Sequence, residues 1–123
     1  MKIYLASPSI YQQFLRAVRD TLHEEGHTVT SRWLDVKGLG RMDPTMARMD
    51  LEDIDEAKVF MLFPLRRGDT NPSGGHLWET GYAYHARKHI ILMGEPTSLF
   101  LTLPTIQRCY SLSEAVRHME TLS

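Results

Sequence analysis

Three short and nearly unbroken apolar runs, Ile3-Tyr4-Leu5-Ala6, Val59-Phe60-Met61-Leu62-Phe63 and His89-Ile90-Ile91-Leu92-Met93, alternate with stretches of helical spacing. A strand that faces water on one side alternates polar and apolar residues. Runs without that alternation are what a sheet covered on both faces demands. After the first run, Tyr11, Phe14, Leu15, Val18 and Leu22 recur at helical spacing, and Gly26 supplies a C-terminal stop. Thr28-Val29-Thr30-Ser31 reads as a second strand running into Trp33, and Val36 to Met42 reads as a loop. Asp43-Pro44 marks a helix start, with the acid as cap and proline in the first turn, and that helix is expected to reach about Ala57. A polar loop from Pro64 to Pro72 follows the second run. A helix after Gly75 then carries Leu77, Trp78, Gly81, Tyr82 and Tyr84. Gly94 ends the third run, Leu99-Phe100-Leu101 forms a short segment, and Thr105 to Tyr110 reads as a last edge strand. Ser111 is placed to cap a final helix that holds Leu112, Ala115, Val116 and Met119.

This alternation predicts a parallel sheet with helices on both faces. Five strands fit a flavodoxin-like (Rossmann-like) three-layer α/β sandwich with strand order 2-1-3-4-5. Its ligands sit at the carboxyl ends of the strands, near the switch point. The loops Ser7 to Ser9, Trp33 to Met42 and Pro64 to Gly75 are then expected to converge there.

At 123 residues the chain fits one domain, residues 1–123, with no internal repeat or linker. Its 14 Lys+Arg against 15 Asp+Glu give no general pull toward a nucleic-acid polymer or an anionic membrane. A lone cysteine, Cys109, excludes an intramolecular disulfide and suits a reducing compartment. Ser7-Pro8 arrives too early for a signal-peptide core, and no apolar run approaches the ~20 residues of a membrane span. The expectation is a cytoplasmic protein. His85 and His89 are four apart, but Arg87-Lys88 is expected to end the helix between them, and there is neither an HExxH motif nor a Cys/His cluster. The site loop also lacks a phosphate-binding Walker lysine, so neither metal nor cofactor is expected.

The stretch from Ser73 to Ala83 carries the most chemistry. Gly74 and Gly75 let a ligand come close to the backbone, and Glu79 follows in the first turns of the helix, where the helix dipole is expected to keep a carboxylate ionised. An ordinary solvated glutamate is the bland reading, and a nucleophile is the sharper one. Asp50 lies one turn from both Met46 and Ile54, so it shares an apolar edge, whereas Glu52, Asp53, Asp55 and Glu56 read as mostly a solvated face. Ser73 is either a helix cap or part of a phosphate seat. Tyr4 is core or a group that reaches the site, and Trp33 is a core edge or a stacking surface for a base. Arg66-Arg67, beside the site loop, are solvated or attract a phosphate.

Several segments together resemble the nucleoside 2-deoxyribosyltransferase family, including its relatives that hydrolyse nucleoside 5′-monophosphates. They are Lys2-Ile3-Tyr4-Leu5-Ala6-Ser7-Pro8, Met49-Asp50-Leu51-Glu52-Asp53-Ile54-Asp55-Glu56-Ala57, and Ser73-Gly74-Gly75 leading to Glu79-Thr80-Gly81-Tyr82-Ala83. Lys88 to Gly94 and Leu99 to Pro104 extend the likeness over nearly the whole chain. The resemblance implies that Glu79 is the nucleophile that attacks the anomeric carbon, that Asp50 binds the sugar or passes a proton to the leaving base, and that Tyr4 positions Glu79. Ser7, Trp33, Ser73, Gly74 and Gly75 are the implied substrate-binding residues. Two positions depart from the family pattern. Ser73 stands where many transferases acting on free nucleosides carry an aspartate, and Lys58 stands where the family usually has aspartate.

The expected activity is transfer of a deoxyribosyl group between bases, with 2′-deoxynucleosides or their 5′-monophosphates as donors. Ser73 keeps hydrolysis of the monophosphate to base and sugar phosphate as an alternative, because a neutral hydroxyl does not repel a phosphate. A non-catalytic nucleotide-binding sensor or sponge is the alternative outside enzymology. The partners expected are small molecules, a deoxynucleoside or deoxynucleotide and a free base. The resemblance also implies a homo-oligomer, dimeric or higher, with Ser98 or Thr102 as candidates to complete a neighbouring subunit's site.

Overall fold

The computed structural model describes residues 1–39, 42–70 and 74–122. Strand β1 (Lys2–Ala6) lies between β2 (Thr28–Val29) and β3 (Val59–Leu62), and β4 (His89–Met93) and β5 (Gln107–Cys109) follow beyond β3, the central strand. The five strands form one sheet in the order β2-β1-β3-β4-β5 with every pairing parallel. This is the α/β order expected from the alternating runs.

The helices are α1 (Gln12–Glu24), α2 (Pro44–Glu56), α3 (Gly75–His85) and α4 (Leu112–Glu120). Right-handed crossovers send connections that step in opposite directions along a parallel sheet to opposite faces. Helices α2 and α3 accordingly pack on each other on one face. On the other, α1 and the start of α4 face each other across a groove. The core lies between these layers: Leu15, Val18 and Leu22 of α1, and Ala115 and Met119 of α4, close over strand residues that are almost wholly buried.

Local chemistry sets the boundaries. Asp43 accepts a hydrogen bond from the Thr45 amide and Pro44 opens α2, while the Ser111 hydroxyl accepts from the Glu114 amide at the head of α4. Strand β2 is shorter than the Thr28–Ser31 expectation. Thr30 and Ser31 turn their hydroxyls inward: Thr30 Oγ1 donates to the Asp53 carbonyl at 2.8 Å, and Ser31 Oγ accepts from the Leu5 amide at 2.7 Å. The Thr30 amide still donates to the Ile3 carbonyl at 2.9 Å; beyond it the Ser31 side chain takes over from the ladder, and the chain enters a 3-10 turn at Arg32–Asp35. That turn is tied to α1, where Gln12 donates to the Trp33 and Val36 carbonyls and Arg16 to the Leu34 carbonyl.

Candidate active site

Three elements bring their side chains to one point on the α2/α3 face. Alternation along β1 sends Tyr4 to that face, where its ring stacks on Phe60 of the paired strand at 5.5 Å between centroids. The Tyr4 hydroxyl donates to Glu79 Oε2 of α3 at 3.2 Å. Asp50 comes from α2 and interacts directly with the Glu79 carboxyl. Tyr4 is completely buried, whereas Asp50 and Glu79 are half-buried, crowded by protein yet open to the crevice.

The electrostatics of this cluster differ from the sequence expectation. Glu79 is not held ionised by the helix dipole. Helix α3 begins at Gly75, so Glu79 sits in its second turn, where the dipole has faded. Burial pushes its carboxyl up to about 8, reinforced by the charge of Asp50 and by a hydrogen bond with it, while the Tyr4 hydroxyl pulls the other way. Asp50 is raised to about 6, first by burial and then by Asp53, against the hydrogen bond from Glu79 and the pull of Arg32. Among the described residues Asp50 Oδ1 is buried without a hydrogen-bond partner, and two ionised carboxylates could only accept from each other. Near neutral pH the two acids therefore hold one proton and one negative charge between them. Tyr4 stays protonated: burial, then the charges of Glu79 and Asp50, raise its pKa well above the usual phenol value.

The remaining candidates divide. Ser7 is buried and its hydroxyl donates to the Pro8 carbonyl at 2.7 Å. Trp33 is 6 % exposed and its indole donates to the Leu5 carbonyl at 2.9 Å, so the ring serves the core edge and presents little face for stacking. Gly74, at the head of α3, has a positive φ of 61° and offers no side-chain cap; Gly75 is the first helical residue. Ser73 lies outside the described residues, as do Gly40 and Arg41 of the loop after β2. Asp53, read as part of a solvated face, is 2 % exposed and paired with Arg32 at 2.8 Å. It follows Asp50 by three residues, and that spacing was the signal that it shares the inner face of α2. His76, which sequence reasoning passed over, is buried one turn before Glu79.

A large groove lies elsewhere. About 870 Å³ of space opens between α1 and the head of α4, lined by Phe14, Val18, Phe63, Arg66, Met93 and Leu112, and none of Tyr4, Asp50 and Glu79 borders it. Arg66 sits over the Tyr11 and Phe14 rings there. The carboxylate cluster, not this groove, brings together groups able to exchange protons, and concavity alone supplies no chemistry. Among the described residues no group of three or more His, Cys, Asp and Glu could hold a metal ion, and no helix is long and apolar enough to cross a membrane.

No protein-family model matches the chain, and no curated protein matches it by sequence. Solved structures do. A 2-deoxyribosyltransferase from Bacillus psychrosaccharolyticus superposes with a TM-score of 0.71 at 25 % identity, over 94 % of this chain and 90 % of that one. The CMP N-glycosidase BcmB of Clostridium botulinum has the same fold, with a TM-score of 0.64 at 21 % identity over 98 % of both chains.

Proposed function

We propose that this chain, an enzyme of the nucleoside 2-deoxyribosyltransferase family, cleaves the N-glycosidic bond of 2′-deoxynucleosides or their 5′-monophosphates through Glu79. The observation that carries the reading is the convergence of Tyr4, Asp50 and Glu79 from three separate elements, with burial raising the pKa of both acids. A structural role needs no such arrangement, since a buried acid pair without a cation costs stability.

In the proposed reaction the shared proton moves to Asp50, leaving the charge on Glu79. The Glu79 carboxylate attacks the anomeric carbon, the bond from that carbon to the base nitrogen breaks, and Asp50 gives its proton to the departing base. The product is a glycosyl ester on Glu79. An incoming base then attacks the same carbon, Glu79 leaves as carboxylate, and the proton of the new base returns to Asp50. The Tyr4 hydroxyl steadies Glu79 throughout by favouring its charged form. Ser7, Trp33, Ser73, Gly74 and Gly75 are proposed to line the substrate pocket, with Trp33 shaping it from the core edge.

Hydrolysis is the second reading, favoured by the neutral Ser73 at a position where an acid would repel a phosphate. Incubating the protein with deoxynucleosides and their monophosphates, with and without free bases, separates the two. Transfer predicts new nucleoside only when an acceptor base is present. Sugar phosphate appearing with water alone assigns hydrolysis, and no base release from any substrate contradicts the proposal. Assembly into a homo-oligomer is also proposed, supported by Leu99 and Phe100, which stand 80 % and 72 % exposed on a short 3-10 turn. The Ser98 hydroxyl caps that turn and the Thr102 hydroxyl donates to the Leu99 carbonyl, so either would have to release a local bond to serve a neighbour.

A further inference from the structure

Arg66 and Arg67 are two charges that the Glu79 site leaves unused. Both are exposed, and among the described residues neither guanidinium has an ion pair or a hydrogen bond. They border the groove of about 870 Å³ between α1 and the head of α4. Small-molecule sites span roughly 300–1,000 Å³, so the groove has the size of one.

Arg66 is held in place there. The Tyr11 hydroxyl accepts from the Arg66 amide at 2.9 Å and donates to Asp69. The guanidinium lies 5.8 Å from the centre of the Tyr11 ring and 5.6 Å from that of Phe14. A guanidinium resting on rings keeps its in-plane N–H donors for an oxyanion. The acids close by are engaged by tyrosines instead: Asp69 by Tyr11, and Glu95 by the Tyr110 hydroxyl at 2.9 Å. Two arginines against the one carboxylate of Glu95 leave the groove lining positive.

The rest of the lining is mostly apolar. Phe14, Ala17, Val18 and Thr21 recur at helical spacing and form the α1 wall, and Phe63 meets Phe14 edge-on at 5.7 Å. Phe63 to Arg67 follow β3 and Met93 to Thr97 follow β4, so the groove opens at the carboxyl ends of the strands, where open α/β sheets take ligands. It does so on the face opposite Tyr4, Asp50 and Glu79. Ring faces and an aliphatic wall accept a flat apolar body, and the unpaired guanidinium beside them calls for an anion on that body.

We propose that this groove is a second binding site, separate from the Glu79 centre, for an amphipathic anion: a flat apolar body bearing one carboxylate or phosphate, with Arg66 as the main contact of the charged group. It stands independently of the reading of Glu79.

The test is calorimetric titration of the protein with 2-naphthoate, 2-naphthyl phosphate and the uncharged 2-naphthamide. The anions are expected to bind one site per chain with Kd below about 1 mM. The amide is expected to bind at least about fivefold more weakly, and salt narrows that gap. Arg66→Gln, on an exposed loop, brings anions and amide to within about twofold of each other. Ala17→Trp fills an exposed position of the α1 wall and abolishes binding of all three; Thr21→Phe is a second filling variant, and circular dichroism checks that both fold. The tighter of the two anions identifies the charged group as carboxylate or phosphate. No binding, equal binding of anions and amide to the wild type, or binding that survives both filling variants overturns the proposal. So does a change of oligomeric state in the filling variants by light scattering, which marks this face as an interface between copies of the chain.

Discussion

Asp50 and Asp53 lie one turn apart on α2, and the more buried of the two is the better satisfied. Asp53 is 2 % exposed, and it accepts from the Arg32 guanidinium at 2.8 Å and from the Arg32 amide at 3.0 Å, while its carbonyl accepts from Thr30. It fastens α2 to the turn after β2. Asp50 is more open, yet its neighbour is another acid, Glu79, and its Oδ1 finds no donor. The contrast separates two uses of a carboxylate. One charge is matched and holds the fold together. The other faces a second acid, and in the proposed reaction it is the group that moves a proton.

The contrast breaks most visibly at Glu79. Glu79→Gln is expected to lower kcat by at least about 10³-fold while substrate still binds, because the nucleophile is lost and the shape is kept. Steady-state base release together with a binding isotherm checks this. Arg32→Ala attacks the other acid. It leaves Asp53 buried with only the backbone amide, and chemical denaturation is expected to report a loss of about 2–3 kcal/mol, while the Asp50 pKa moves further up because the pull of Arg32 is lost.

Stability as a function of pH sharpens the same distinction. Both site acids have folded pKa values above their unfolded ones, so between about pH 4 and about pH 8 the folded state binds more protons than the unfolded state. Stability therefore falls as pH rises through that window. Glu79→Gln removes most of the slope. At pH 8 the variant is expected to be more stable than the wild type by on the order of 2 kcal/mol after allowance for solvent screening, and below pH 4 the two converge. Equal stability of the two at pH 8 would contradict the electrostatic picture. The smallest effect belongs to Tyr4→Phe. Losing the hydroxyl that favours ionised Glu79 is expected to cost about tenfold in kcat and to shift the acid limb of the pH–rate profile upward.

Much of this was legible in the chain. The runs at Ile3, Val59 and His89, the Asp43-Pro44 start and the Ser111 cap are local signals, and the sheet order follows from their alternation. The place of Asp50 on the edge of the inner face was also legible, because it lies one turn from both Met46 and Ile54. What stayed hidden depends on side chains that arrive from elsewhere. The burial of Asp53 is tolerable only with a guanidinium from the β2 turn, and that pairing leaves no trace in the sequence of α2. The protonation of Glu79 departs from the local expectation for the same reason. The local sequence shows a helix start, and the acid that overrides it comes from another helix.

The central claim is that Glu79 carries the sugar. Rapid quenching of the protein with a deoxynucleoside, followed by intact-mass and peptide mass spectrometry, tests it directly. The expected result is a mass increase of one deoxyribosyl group on the peptide containing Glu79, lost when an acceptor base is added and absent from Glu79→Ala. Turnover with no adduct, or an adduct on any other residue, would contradict it.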